Sequence, residues 1–205
     1  GLGLSEALLG AWGYVSVSPN ESSFNNYWEL SWSSKEEADA AWQEWAASED
    51  AMAWIEQTAS VLQCDGDNRD GYEFTFPYDP YAFGQPPEDG SFAAAFSPCT
   101  LNEGMGQEDL NNAIIRYNAW LDGIDQSEVR GFYAYGVYIP EDKTADEDFW
   151  FGNFHENLET MSEGNELWEA TGGDAKAELE SVSTCGEPEI SNGQVFLDPT
   201  KPEFS

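Results

Sequence analysis

Two stretches of this sequence, roughly 120 residues apart, follow the same plan. Tyr27-Trp28-Glu29-Leu30-Ser31-Trp32 precedes a helical segment that passes Trp45 and ends near Cys64. Phe149-Trp150-Phe151-Gly152-Asn153-Phe154 precedes one that passes Trp168 and ends at Cys185. Upstream, Trp12-Gly13-Tyr14 running to Pro19 matches Tyr133-Ala134-Tyr135 running to Pro140. Anchors of the same type in the same order are the mark of an internal duplication, and a duplication dictates the architecture.

Periodicity then gives each copy its elements. In the second copy, 92–99 is a short apolar run, hence a strand, and 107–121 places Leu110, Ile114, Tyr117, Trp120 and Leu121 on one helix face. Residues 132–139 alternate as a strand, 149–154 form another, and the loop between them is acidic. A helix over about 156–182 is interrupted at Thr171-Gly172-Gly173, and a last strand with an irregularity at 186–193 ends near Phe196. The order β-α-β-β-α-β is the ferredoxin-like unit. The first copy shows only its later part: strands near 11–18 and 26–32, a helix near 34–60 and a strand near 61–76. Its opening strand and most of its first helix are missing, with 2–9 left as the helix end. The expected fold is therefore α+β: tandem ferredoxin-like units forming an α+β barrel, the first incomplete. The expected divisions are 1–76, a Pro/Gly/Tyr-rich linker 77–90, a complete repeat 91–197 and a tail 198–205.

Composition narrows the function classes. Among 205 residues, 40 are acidic and 7 basic, for a formal charge of -33. Such a surface repels phosphate backbones and anionic lipid, which argues against nucleic acid and membrane surfaces as partners. With 15% aromatic residues the chain is too apolar for a disordered acidic tail. No apolar run reaches the length of a membrane span. Acid-rich, lysine-poor surfaces stay soluble in salt, as in a halophilic cytoplasm or a marine secreted protein. The cysteines favour the exported reading, secreted or periplasmic.

The chain resembles the dimeric α+β barrel superfamily, including its antibiotic-biosynthesis-monooxygenase-like and stress-responsive members. More closely, Cys99-Thr100-Leu101-Asn102-Glu103-Gly104, Trp150-Phe151-Gly152-Asn153-Phe154 and Ala170-Thr171-Gly172-Gly173-Asp174 are similar to secreted marine bacterial proteins with tandem repeats. The likeness covers about 110 residues well. It implies a ligand position in an apolar cleft between sheet and helices, where Trp28, Trp32, Trp45, Tyr135, Trp150, Phe154 and Trp168 are candidates; core packing is the competing reading of these rings. The superfamily's oxygenases and haem-degrading members use a helix histidine or an Asn-Trp-His set. Here the single histidine, His155, follows a strand, and it is either a haem ligand or proton carrier or an exposed polar residue at a helix start.

In the ferredoxin-like order the first and last strands are antiparallel neighbours. Cys99 and Cys185 therefore sit opposite each other, as a disulfide or as a buried thiol pair. Cys64 is the repeat equivalent of Cys185, so its partner would belong to the missing strand: supplied by a separate N-terminal peptide, or absent, leaving a free thiol. The truncated copy also leaves an open sheet edge that strand addition or self-association would cover. Asp65, Asp67 and Asp70 alternate like a calcium loop, but Arg69 stands where another oxygen ligand belongs, and a solvated turn competes. Acid runs at 141–148 and 36–39 are solvated faces or loose Ca2+ or Mg2+ collectors. The leading expectation is an exported, acidic, non-catalytic protein acting through assembly or by binding an apolar or aromatic small molecule. The alternative is a monooxygenase-like or haem-binding enzyme using the cleft and His155.

Overall fold

A computed structural model describes residues 7–17, 25–64, 66, 69–125 and 129–197. In chain order the elements are β1 Leu8–Ser16, β2 Asn26–Trp32, α1 Lys35–Ala47, α2 Glu49–Thr58, β3 Tyr72–Thr75, β4 Ser91–Leu101, α3 Gln107–Gly123, β5 Tyr133–Pro140, β6 Phe149–His155, α4 Leu158–Thr171, α5 Gly173–Val182, β7 Ser183–Cys185 and β8 Glu189–Leu197. The class is α+β. The chain divides into two units: Gly1–Gly13, Tyr27–Arg69 and Val195–Ser205 form one, Tyr14–Asn26 and Asp70–Gln194 the other.

In the smaller unit β2 is next to β1 in the strand order. Leu8 and Leu9 belong to β1, which corrects their expected place at a helix end; residues 1–6 lie outside the described residues. The single helix expected over 34–60 is two helices, and Ser48 is the reason. Its extended backbone (φ -83, ψ 122) ends α1, and its hydroxyl accepts from Ala51 N at 3.2 Å to cap α2. Ser34 caps α1 in the same way through Glu37 N. Acids fill both first turns, Glu36 and Glu37 then Glu49 and Asp50, where the helix dipole favours them. Among the described residues of the expected strand 61–76, only 72–75 form a strand.

The larger unit holds the order β8-β4-β6-β5-β3, with adjacent strands antiparallel. β4 is long enough to pair twice along one edge: Ser91 to Phe96 against β8, and Cys99 to Leu101 against β7. The break between those partners falls at 186–188, whereas the rest of the expected irregularity, 189–193, is paired strand. Cys99 and Cys185 are register partners and form a disulfide. At Gly172 the amide returns to Trp168 O at 2.8 Å, and a Cβ there would lie 2.4 Å from the Trp168 ring. Only glycine fits, so the α4–α5 break falls where the sequence places it.

Strand alternation gives this sheet two different faces. One carries Cys99, Tyr133, Tyr135, Val137, Phe149 and Phe151 and packs under α3 and α5 through Leu110, Ala113, Ile114, Tyr117, Leu121 and Val182. Each fully buried side chain of this size contributes about 1.5–3 kcal/mol relative to exposure. The opposite face carries Phe92, Phe96, Tyr138 and Phe154, joined by Tyr14 and Phe74 in edge-to-face and tilted contacts at 4.5–6.0 Å. The register partners Gly136 and Gly152 make room for these rings: a Cβ on Gly136 would come within 2.3 Å of Phe74.

Candidate functional site

The helix-side layer of the larger unit contains the polar groups that the apolar pattern does not require. On β6, every second residue from Phe149 to His155 faces the helices, so Asn153 and His155 continue a face begun by Phe149 and Phe151. On β5 the facing positions are Tyr133 and Tyr135. From α3 come Tyr117 and, one position on, Asn118.

These groups form two directed hydrogen-bond chains. Tyr133 donates to Asn153 Oδ1 at 2.9 Å, which uses its only proton; Tyr117 must then donate to Tyr133, at 2.5 Å. Tyr135 donates to Asn118 Oδ1, and Asn118 Nδ2 donates to Pro77 O at 2.9 Å. Around them Tyr135 stacks on Phe151 at 5.1 Å, and Tyr117 meets Trp168 edge-on at 5.1 Å and Trp120 at 5.4 Å. The segment after β3 is stapled to this layer. Tyr78 donates to Asp122 Oδ1 at 2.7 Å, and Phe83 lies 6.0 Å from Tyr133.

Burial fixes the charge state. It drives the pKa values of Tyr117, Tyr133 and Tyr135 well above the ordinary phenol value, so all three stay protonated donors across the physiological range. Burial, with the bond to Asp122, takes Tyr78 up to about 12. His155 moves the other way, down to about 4, because its charged form is excluded from an apolar place. The layer is therefore polar but uncharged at neutral pH.

His155 is the residue whose setting differs most from expectation. It ends β6 and is only 6% exposed, so the exposed reading is corrected. Its ring lies 4.9 Å from that of Tyr133, and Gly164 of α4 covers it so closely that a Cβ there would sit 2.9 Å from Cε1. Among the described residues no group hydrogen-bonds the imidazole. Nearby in sequence, Glu163 gives one oxygen to Arg130 Nη1 at 2.6 Å, and its other oxygen is buried without a partner. A neutral imidazole in this place can accept one hydrogen bond and donate another; the tyrosines can orient but not deprotonate a partner.

The cleft candidates do not converge. Tyr135 and Trp168 belong to the helix-side layer, whereas Phe154 is in the opposite aromatic face, with Trp150 on the same alternation. In the smaller unit Trp28 is 55% exposed and packs on Phe196 at 5.5 Å, Trp32 is half-buried, and Trp45 meets Trp54 edge-on at 5.9 Å. Cys64 is an exposed free thiol. Asp65 and Asp67 lie outside the described residues; Asp70 is exposed, and Arg69 stands 4.3 Å over the Trp42 ring. Among the described residues no acid, cysteine or histidine group is arranged to hold a metal ion, and no helix is long and apolar enough to cross a membrane. Haem has no prepared ligand beyond His155, whose nearest cover is the backbone of Gly164.

The hydrogen-bonding roles of Asn118 and Asn153 are not among the readings of the sequence. The signal for Asn153 was present, since a polar residue stands between Phe151 and His155 on a buried alternation. Asn118 had none, because its partner lies 17 residues away on β5.

No protein-family model and no curated protein matches the sequence. Among solved structures, the chain is similar to one described as an anthrone oxidase-like protein, with a TM-score of 0.50 and 12% identity over 92% of this chain and 77% of that one. A protein from Fusobacterium nucleatum subsp. nucleatum described as a monooxygenase gives 0.46 and 8% over 92% and 76%. The first likeness shows the fold alone: α+β, of the barrel type.

Proposed function

We propose that this chain binds an apolar, aromatic small molecule at the helix-side layer, with His155 as its hydrogen-bonding partner, and acts without catalysis. The observation that carries this reading is the imidazole of His155, 6% exposed beside the Tyr133 ring and with no hydrogen-bond partner among the described residues. A hydroxyl on an aromatic ligand would give it one, a bond worth about 0.5–1.5 kcal/mol, while Tyr117, Trp120, Trp168 and Phe151 supply ring contacts.

Titration with 1-naphthol, followed by tryptophan fluorescence from Trp120 and Trp168, tests it. Saturable quenching should occur, weaker by about tenfold with naphthalene and abolished in preference for the hydroxyl by His155→Phe. Equal affinity for 1-naphthol and naphthalene in the wild type would remove His155 from the reading.

A second reading draws on the name of the first similar structure: an oxygenase in which neutral His155 hydrogen-bonds an anthrone-like substrate. Oxygen uptake with anthrone, lost in His155→Phe, would favour it over simple binding.

The finer architecture belongs to the same proposal. The smaller unit and β3 derive from a first ferredoxin-like repeat, and the exposed thiol of Cys64 pairs with a cysteine of another peptide. Supporting this, Cys185, the repeat equivalent of Cys64, has its partner on the opening strand of its own repeat. Disulfides persist in oxidising compartments, which supports export, to a marine or saline setting as the acidity implies.

A further inference from the structure

The outer edge of β3 is built to take another strand. Glu141 N donates to Gly71 O at 2.9 Å, so that pair is hydrogen-bonded. In an antiparallel ladder bonded and non-bonded pairs alternate. Glu73/Ile139 and Thr75/Val137 are then the bonded pairs, and Tyr72/Pro140 and Phe74/Tyr138 the non-bonded ones. Pro140, which has no N–H, fits only at such a position. The N–H and C=O groups of Tyr72 and Phe74 therefore point away from β5. The strand order ends at β3, and among the described residues neither Tyr72 nor Phe74 has a backbone partner on that side.

The surroundings name the partner's chemistry. Burial and the charges of Asp70, Glu147 and Glu189 together hold the Tyr72 hydroxyl at a pKa of about 12. Glu73 is exposed on β3 itself, and the Glu141 carboxylate closes on Gly71. Lys143, which follows Glu141 in sequence, is held on Pro140 O at 2.9 Å. Between the acids, Tyr72 is 37% and Phe76 42% exposed. The edge thus offers main-chain bonds, two half-open aromatic rings and a negative rim. A second copy of a chain carrying -33 would bring the same sign of charge to it.

We propose that the outer edge of β3 binds an extended, basic segment of another protein, which adds as a strand on Tyr72 and Phe74 with alternate apolar side chains over Tyr72 and Phe76 and its lysines or arginines toward the acids. Pro77, without an N–H, ends the platform, so the added strand is short.

The probe is a fluorescein-labelled ten-residue peptide of alternating Lys and Val. Three controls accompany it: the same residues in two blocks, the alternating peptide N-methylated on every second amide, and Tyr72→Pro and Tyr72→Ala variants. Tyr72→Pro removes an outward N–H and leaves the bonds to β5 in place; Tyr72→Ala keeps it. Hydrogen exchange at Tyr72 and Phe74 should slow when the alternating peptide is added. Affinity should fall about tenfold or more from Tyr72→Ala, which loses the ring and keeps the N–H, to Tyr72→Pro, which loses both, and likewise with the N-methylated peptide on the wild-type chain should the proline variant fail to fold. Unchanged exchange at these amides, equal binding of the block peptide, or a dimer joined through β3 in sedimentation would each overturn the proposal.

Discussion

Tyr133 and His155 are register partners on β5 and β6, and their rings stand 4.9 Å apart at 44°. The phenol's proton is committed to Asn153, so it cannot also serve the imidazole. An aromatic wall and a neutral imidazole are thereby fixed side by side. Each expectation below depends on that placement or on the frame that holds it.

The imidazole makes stability depend on pH in one direction. Its folded pKa of about 4 lies below the ordinary value of 6.5, so the unfolded chain binds more protons between those limits. Its contribution is fully present above pH 6.5 and is lost as pH falls toward 4, by about 3 kcal/mol. Denaturant unfolding at pH 7 and 4.5 for wild type and His155→Phe should show that loss in the wild type and a flatter profile in the variant. Parallel profiles would place His155 in water.

Gly164→Ala should destabilise the chain. Alanine normally gains about 1 kcal/mol over glycine inside a helix. Here its Cβ would press on the imidazole at 2.9 Å, so the sign should reverse, by about 1 kcal/mol or more. The double variant with His155→Ala should recover the normal helix preference. A thermal-unfolding cycle of the four proteins measures both.

The buried phenols resist alkali. Their raised pKa values keep them protonated in the folded chain, while unfolded tyrosines ionise near 10. Stability should therefore be intact below pH 10 and fall above it. Absorbance at 295 nm should show exposed tyrosines titrating first and the remainder only together with loss of the far-ultraviolet helix signal. A single smooth titration of all nine tyrosines would contradict this.

The Cys99–Cys185 bond closes a loop of 86 residues across adjacent strands. Replacing both with serine should cost about 2–4 kcal/mol. Urea unfolding of the double variant against oxidised wild type reads that difference.

The larger unit was legible where a single period governs a segment. Alternation through 132–139 and 149–154, the helical face of Leu110, Ile114 and Tyr117, and the glycines at 172 and 173 each fix an element with no help from distant residues. The facing of Cys99 and Cys185 followed from strand order alone. The α1–α2 break was hidden because Ser48 sits in a polar run where a cap and a surface residue look alike. His155 was misjudged for a related reason: Glu156 and Asn157 after it suggested solvent, although its parity on β6 matched Phe149 and Phe151. The Tyr117–Tyr133–Asn153 chain joins a helix and two strands, and no local pattern carries such a pairing.

The most direct test uses the fact that the chain has one histidine. A long-range proton–nitrogen correlation spectrum, with nitrogen-15 in the imidazole, reports His155 without ambiguity. The ring should be neutral from pH 7 to 5, and adding 1-naphthol should shift one ring nitrogen by several parts per million as it gains a hydrogen bond, with naphthalene leaving it in place. An imidazole that titrates near 6.5, or one unmoved by saturating 1-naphthol, would contradict the site.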